Sequence, residues 1–232
     1  RPDGVGPPLR IAGQIDRTIS DAGRTQLEFE IFTHTADTAA GATTRAWSLA
    51  SAFVRRGVTP QLELQLGWQT YAVVTTEAAG TTSRAAGFGD TVVRAKYNLW
   101  GDDGGATAFA LLPFAKFPTN QDGLGNDAVE AGLSLPFTVN LPAGWQLGLM
   151  AKWSRLLNAD GSGRHNYFEY SVLAGRGLTE KLSAYAEFWT GRSGEAGAGA
   201  QDSLGLGLGY ALTENTTLDA SANFALNRAT TD

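Results

Sequence analysis

From Arg24 onward, apolar and polar residues alternate with a period of two, and this constrains the chain to β-structure more tightly than any other feature. The clearest run sets Leu62, Leu64, Leu66 and Trp68 against Glu63, Gln65, Gly67 and Gln69. A second sets Trp145, Leu147, Leu149, Ala151 and Trp153 against Gln146, Gly148, Met150, Lys152 and Ser154. A third sets Leu204, Leu206, Leu208 and Tyr210 against Ser203 and three glycines. Successive side chains of a strand point to opposite faces, so each run carries one apolar face and one polar or glycine face. Helical periodicity is absent.

Eleven such segments are predicted, at 24–35, 44–55, 60–73, 89–100, 106–117, 128–140, 145–156, 166–176, 182–190, 202–211 and 216–227. Each has the length, roughly 9–11 residues or slightly more, that a tilted strand needs to cross a bilayer core. The connections 36–43, 74–88, 118–127, 157–165 and 191–201 are long, and 56–59, 101–105, 141–144, 177–181 and 212–215 are short, in strict alternation. Long extracellular loops paired with short periplasmic turns are the habit of outer-membrane barrels. Aromatics fall near the strand ends: Trp47, Trp68, Tyr71, Trp153, Phe168, Phe188, Trp189 and Phe224 outside, Tyr97, Trp100, Phe137, Trp145 and Tyr210 inside. Rings favour the two membrane interfaces, whereas the core of a soluble sandwich would gather them mid-strand.

The expectation is therefore all-β: a single antiparallel transmembrane β-barrel of about twelve strands. Eleven strands are visible and a C-terminal one is expected to be missing, because an odd count leaves an open edge in lipid. Residues 24–232 are the barrel, and residues 1–23, rich in Pro, Gly, Arg and Asp, are an N-terminal arm able to fold into the lumen as a plug. Arg10, Asp16 and Arg17 would then meet the lumen charges, with Ile11, Ile15 and Ile19 as apolar anchors. The opening Arg1-Pro2-Asp3-Gly4 lacks the apolar core of a signal peptide, so any targeting segment is expected to have been removed. Two points resist the strand map. Pro113 and Pro136 fall inside neighbouring strands and imply a bulge. The parity of the second strand is open, since Trp47, Leu49 and Phe53 suggest an outward face that Arg55 shares.

Other classes are excluded or weakened by composition. There are no cysteines, so neither disulfides nor a Cys metal site is available. Two histidines and a net charge of −5 argue against a His-rich metal site and against nucleic acid as partner. No apolar run is long enough for a transmembrane helix.

Several segments resemble the MetA-pathway-of-phenol-degradation family of outer-membrane proteins. They are "FVRRGVTPQLELQLGW", "GFGDTVVRAKYNLW", "ALLPFAKFPTN", "EKLSAYAEFWTG" and "LDASANFALNRATTD", with the opening "RPDG". Asn120 stands where that family usually has Gly. The resemblance implies a twelve-stranded barrel that moves small, in part aromatic or hydrophobic, compounds, with no catalytic residues and no cofactor. It also implies a final strand beyond Asp232.

Charges on the polar faces are placed in the lumen, because a charge facing lipid costs about 2–4 kcal/mol near the midplane. They are Glu28, Glu30, Glu63, Arg94, Lys96, Lys116, Glu130, Lys152, Glu169, Glu187 and Asp219. The functional reading is a selectivity path, and its rival is an ion-pair network that fills a narrow bore. Lys116 and Glu130 flank the 118–127 loop symmetrically and are expected to face each other. Glu169 and Glu187 flank the 177–181 turn; they read either as an acid/base pair or as carboxylates held by Lys152 or Arg176. A barrel hydrolase would need Ser48 or Ser162 joined to His34 or His165, which no motif does. A Ca²⁺ site at Asp122–Asp127 is the one metal alternative; turn residues are the simpler reading. The expected role is a channel or passive transporter in the bacterial outer membrane, with outer-membrane lipid and a small-molecule solute as partners and no enzymatic activity. The alternative is a closed structural barrel whose loops bind a partner.

Overall fold

The computed structural model describes residues 22–39, 41–101 and 105–227. They form one antiparallel sheet of 13 strands. In chain order these are β1 (Thr25–Ala39), β2 (Ala42–Gly57), β3 (Leu62–Trp68), β4 (Tyr71–Ala78), β5 (Thr81–Gly87), β6 (Thr91–Trp100) and β7 (Thr107–Phe117). They continue with β8 (Glu130–Asn140), β9 (Trp145–Leu157), β10 (Arg164–Gly177), β11 (Leu182–Ser193), β12 (Gln201–Thr213) and β13 (Thr216–Ala225). β3 and β4 lie end to end along β2, and β6 and β5 lie end to end along them. The strands therefore make eleven staves, as the periodicity implies. Among the described residues β1 and β13 end the sheet and do not pair with each other. The arm expected over 1–23 falls almost wholly outside the described residues.

The outer face is apolar and uncovered. Leu66, Leu206 and Leu208 are 44%, 48% and 51% exposed, a pattern a water-soluble sheet does not sustain over so many strands. Trp145 and Trp153 share this face of β9, eight positions apart. That is about 27 Å along a strand, or about 20 Å along the membrane normal at a tilt near 40°. Trp153 stands opposite Phe168 on β10, and Phe188 opposite Leu204, which faces Phe224. Near the other end Tyr97 pairs with Leu111, Trp100 with Phe109, and Tyr210 with Leu218. Trp189 does not join the outer row: it points inward and is 8% exposed. Its alternation with Phe188 settles this, since adjacent residues cannot share a face.

Two expected long loops, 36–43 and 74–88, are instead β-hairpins. β1 and β2 stay paired as far as Ala39 and Ala42, and β4 and β5 turn at Ala79 and Gly80. Positive φ at both, 48° and 77°, is the geometry that matches hairpin twist. This extension is set off by a bend crossing four staves at one level. On β2 the bend is Ala50, with φ 53° and its carbonyl held by the Thr70 hydroxyl at 2.7 Å. The third and fourth staves break there, at residues 69–70 and 88–90. The bend resolves the parity of β2. Trp47 and Leu49 face outward above it, whereas Ser51, Phe53 and Arg55 face inward below it, although all are odd-numbered. β1 flips with it, Ile31 and Phe32 both being exposed.

The expected proline bulge is absent. Between β7 and β8 the register is the same before and after the prolines, Phe109↔Phe137 and Leu112↔Ser134. Pro113 faces outward and Pro136 inward, and each costs only local ladder bonds. The register shift lies at Asn98/Trp100 instead.

Three short turns share one device. Thr59 accepts from the Gln61 and Leu62 amides, Thr179 from the Lys181 and Leu182 amides, and Thr213 from the Asn215 amide. The threonine hydroxyl supplies locally what the strand ladder no longer can. It marks the same end of the sheet each time: Val58-Thr59-Pro60, Leu178-Thr179-Glu180, Leu212-Thr213-Glu214.

Candidate channel interior

The inner face is built from glycines and the rings laid across them. Phe53 lies over Gly67, Phe114 over Gly132, and Tyr185 over Gly207, each ring crossing to its partner on the next strand. A Cβ at any of these glycines would collide with the ring. Tyr167 passes Gly191 in the same way, and its hydroxyl donates to Gln201 at 2.6 Å. Glycine in these runs is thus a seat for an inward aromatic, which restores the buried contact that the missing side chain would have made. Cations cap two of the rings: the Arg94 guanidinium is 4.3 Å from the Phe53 centroid and the Lys152 ammonium 5.2 Å from that of Phe114.

Three ionic clusters are anchored on this frame. In the first, Arg55 donates to Glu63 at 2.8 Å and to Glu28 at 2.6 Å, and Gln65 donates to Glu63 at 2.7 Å. Arg55 is 2% exposed and Glu63 0%, so this pair is out of water. Lys96 stands opposite Glu63 in the register.

The second cluster ties the longest loop to the wall. Lys116 binds Asp90 at 2.8 Å, Asn126 at 2.9 Å and Glu130 at 3.0 Å. Asn120 donates to Asp90 at 2.7 Å, and Asn126 to Glu130 at 2.7 Å. The Gln121 amide donates to the Phe88 carbonyl at 2.9 Å. Residues 118–129 therefore fold back onto the inner face near one end of the bore. Lys116 and Glu130 do face each other. Asn120 has its function here, holding Asp90 where a glycine could not. The third cluster is Lys152 with Glu169 at 2.6 Å, on adjacent strands.

All eleven charges placed in the lumen from sequence lie on this face. Glu30 alternates with the exposed Phe29 and Ile31, and Asp219 stands over Gly209. Sequence reasoning missed four contributors: Arg55, Asp90, Asn120 and Asn126. Arg55 was hidden by the parity flip at Ala50. The other three sit in or beside loops, where period two says nothing.

Glu169 and Glu187 do not meet. Glu169 faces Gly191 and Glu187 faces Leu173 across β10 and β11, four positions apart along the strand. Lys152 holds Glu169, whereas Arg176 lies outside, 5.3 Å from the Trp145 ring. Among the described residues no hydrogen bond joins Ser48 or Ser162 to His34 or His165. The Ser162 hydroxyl donates to Asp160 at 2.7 Å, holding that carboxyl below the usual range. His165 Nδ1 is 3.0 Å from Asn158, and His34 stacks on Trp47 with centroids 4.1 Å apart. Among the described residues no three acidic, His or Cys side chains gather as metal ligands.

Residues 10–232 match the family described as the MetA-pathway of phenol degradation. The chain belongs to that family. Among solved structures, an outer membrane channel from Pseudomonas putida F1 is similar, with TM-score 0.59 and 14% identity over 96% of this chain and 92% of that one. The NanC porin is similar with TM-score 0.54 and 10% identity, over 85% of this chain and 88% of that one. No curated protein matches the chain. At such identities the likeness shows the fold, an antiparallel β-barrel of the outer-membrane channel type.

Proposed function

We propose that this family member resides in the bacterial outer membrane and is a channel, or passive transporter, for small solutes that are in part aromatic or hydrophobic. The observation that carries the reading is the contrast between the two faces of one sheet. The outer face is apolar with rings near both ends, and the inner face carries charges fixed in place by pairing. Ring-lined polar bores suit solutes with an apolar body, because stacking surfaces and fixed dipoles both line the path. Loop 118–129, tied down at Lys116, is the constriction.

A second reading is favoured by one observation. Leu112, Glu63, Lys96 and Ser134 are at most 1% exposed, so the sector from β3 to β8 is packed like a core. A barrel filled in this way would serve as a structural element whose hairpin extension and loops bind a partner. Reconstitution into planar bilayers separates the two. Stepwise, voltage-independent conductance is expected for the channel; a silent membrane containing folded protein supports the filled barrel.

A further inference from the structure

We infer that Glu187, set between Tyr185 and Trp189 on the inner face of β11, is the anchor of a binding station for a small organic cation that also carries an oxygen acceptor, as amino alcohols do. This rests on the inner face being a solute path.

Positions 185, 187 and 189 alternate with the outward Ala186 and Phe188, so two rings flank the carboxylate on one face. Among the described residues Glu187 has no ionic partner, unlike Glu63, Glu130 and Glu169. Lys152, on the same face of β9, is bound to Glu169 at 2.6 Å. A buried carboxylate without a counter-charge is costly, and removal from water favours whatever cation reaches it. Glu187 Oε1, Ser171 Oγ and Trp189 Nε1 are all buried without a hydrogen-bond partner. The Ser171 hydroxyl stands directly across from Trp189 and beside the carboxylate, but outside good hydrogen-bond geometry. Met150 and Leu173 pack against Trp189 and close the apolar side.

Three unpartnered atoms define the ligand by complementarity. The carboxylate takes an ammonium, and the faces of Trp189 and Tyr185 add cation–π attraction. The indole N–H donates only, so it needs an acceptor on the same ligand, and Ser171 can serve either partner. A simple ammonium leaves the indole unsatisfied, and a neutral alcohol leaves the charge uncompensated. Beside the carboxylate the next strand offers Gly205, so no side chain of that strand competes for the space except Asn223 reaching over from β13. Tyr185, whose ring lies over Gly207 rather than over another side chain, is the ring that moves to admit a ligand.

The test uses choline, tetramethylammonium, and the uncharged choline isostere with carbon in place of nitrogen. Binding to the full protein in micelles is read by saturation-transfer NMR, and block of potassium current by the same compounds is read in bilayers. Choline should bind best, and Glu187→Gln should weaken it about tenfold, the worth of one charge-assisted contact. Glu214→Gln, in the turn between β12 and β13, should leave choline binding unchanged. Equal binding of the uncharged isostere, or undiminished choline binding in Glu187→Gln, overturns the proposal, as does absence of choline binding in micelles. A silent bilayer with choline bound in micelles would overturn the channel reading and leave the station standing.

Discussion

Replacing Arg55 by Met isolates the energetic logic of the interior. Arg55 pairs with both Glu63, 0% exposed, and Glu28, about a third exposed. Its loss leaves two carboxylates facing one guanidinium-sized gap. Removing one member of a buried pair costs about 3–5 kcal/mol, since the remaining charge is left without compensation. The expected loss for Arg55→Met is in that range, a folded-to-unfolded ratio lower by a factor of roughly 10² to 10⁴. Adding Glu63→Gln removes the buried charge and should restore at least about 1.5 kcal/mol, because Glu28 can still turn to water. Equilibrium unfolding by urea in micelles, followed by tryptophan fluorescence, measures both. A single-variant cost under about 1 kcal/mol, typical of an exposed pair, would refute the claim that this cluster is out of water. So would a double variant no more stable than the single.

Two further outcomes follow from the two faces. Leu206→Arg, on the outer face of β12, should destabilise the inserted protein by about 2–4 kcal/mol, whereas the same change at an exposed loop site should cost little; the urea midpoint checks it. Gly207→Val should displace the Tyr185 ring and lose near-ultraviolet dichroism together with about 1–3 kcal/mol, the range for overpacking, while Ala198→Val in an exposed loop should not.

Much of this was legible from alternation alone. Leu62 through Trp68 and Leu204 through Tyr210 could be read as strands, faces and orientation, because one face of each is wholly apolar and the other holds glycine or charge. The placing of eleven charges on the face opposite the apolar one followed from the cost of putting them in lipid. What could not be read was anything that interrupts period two. Ala50, an ordinary residue at positive φ, inverts the faces of β2 without a compositional signal. The extension at residues 74–87 looked like loop because threonines, alanines and the charges Glu77 and Arg84 replace its apolar face, although the backbone still pairs. Asn126 meets Lys116, and Asn120 meets Asp90, only because loop 118–129 folds inward, a tertiary choice. The seating of Phe53, Phe114 and Tyr185 on glycines is visible in sequence only after the register is known.

The account's central claim is one sheet with a lipid face and a water-side face, inverted at Ala50, and the lack of native cysteines makes it directly testable. Single cysteines at 46, 47, 48, 49, 51, 53 and 54 of the membrane-inserted protein can be labelled in turn with a polar, membrane-impermeant thiol reagent and with a lipid-soluble one. Positions 47 and 49 should prefer the lipid-soluble reagent, as should 54, while 46, 48, 51 and 53 should be protected from it. A single unbroken alternation through 46–54, or labelling of both parities by the polar reagent alone, would contradict the account.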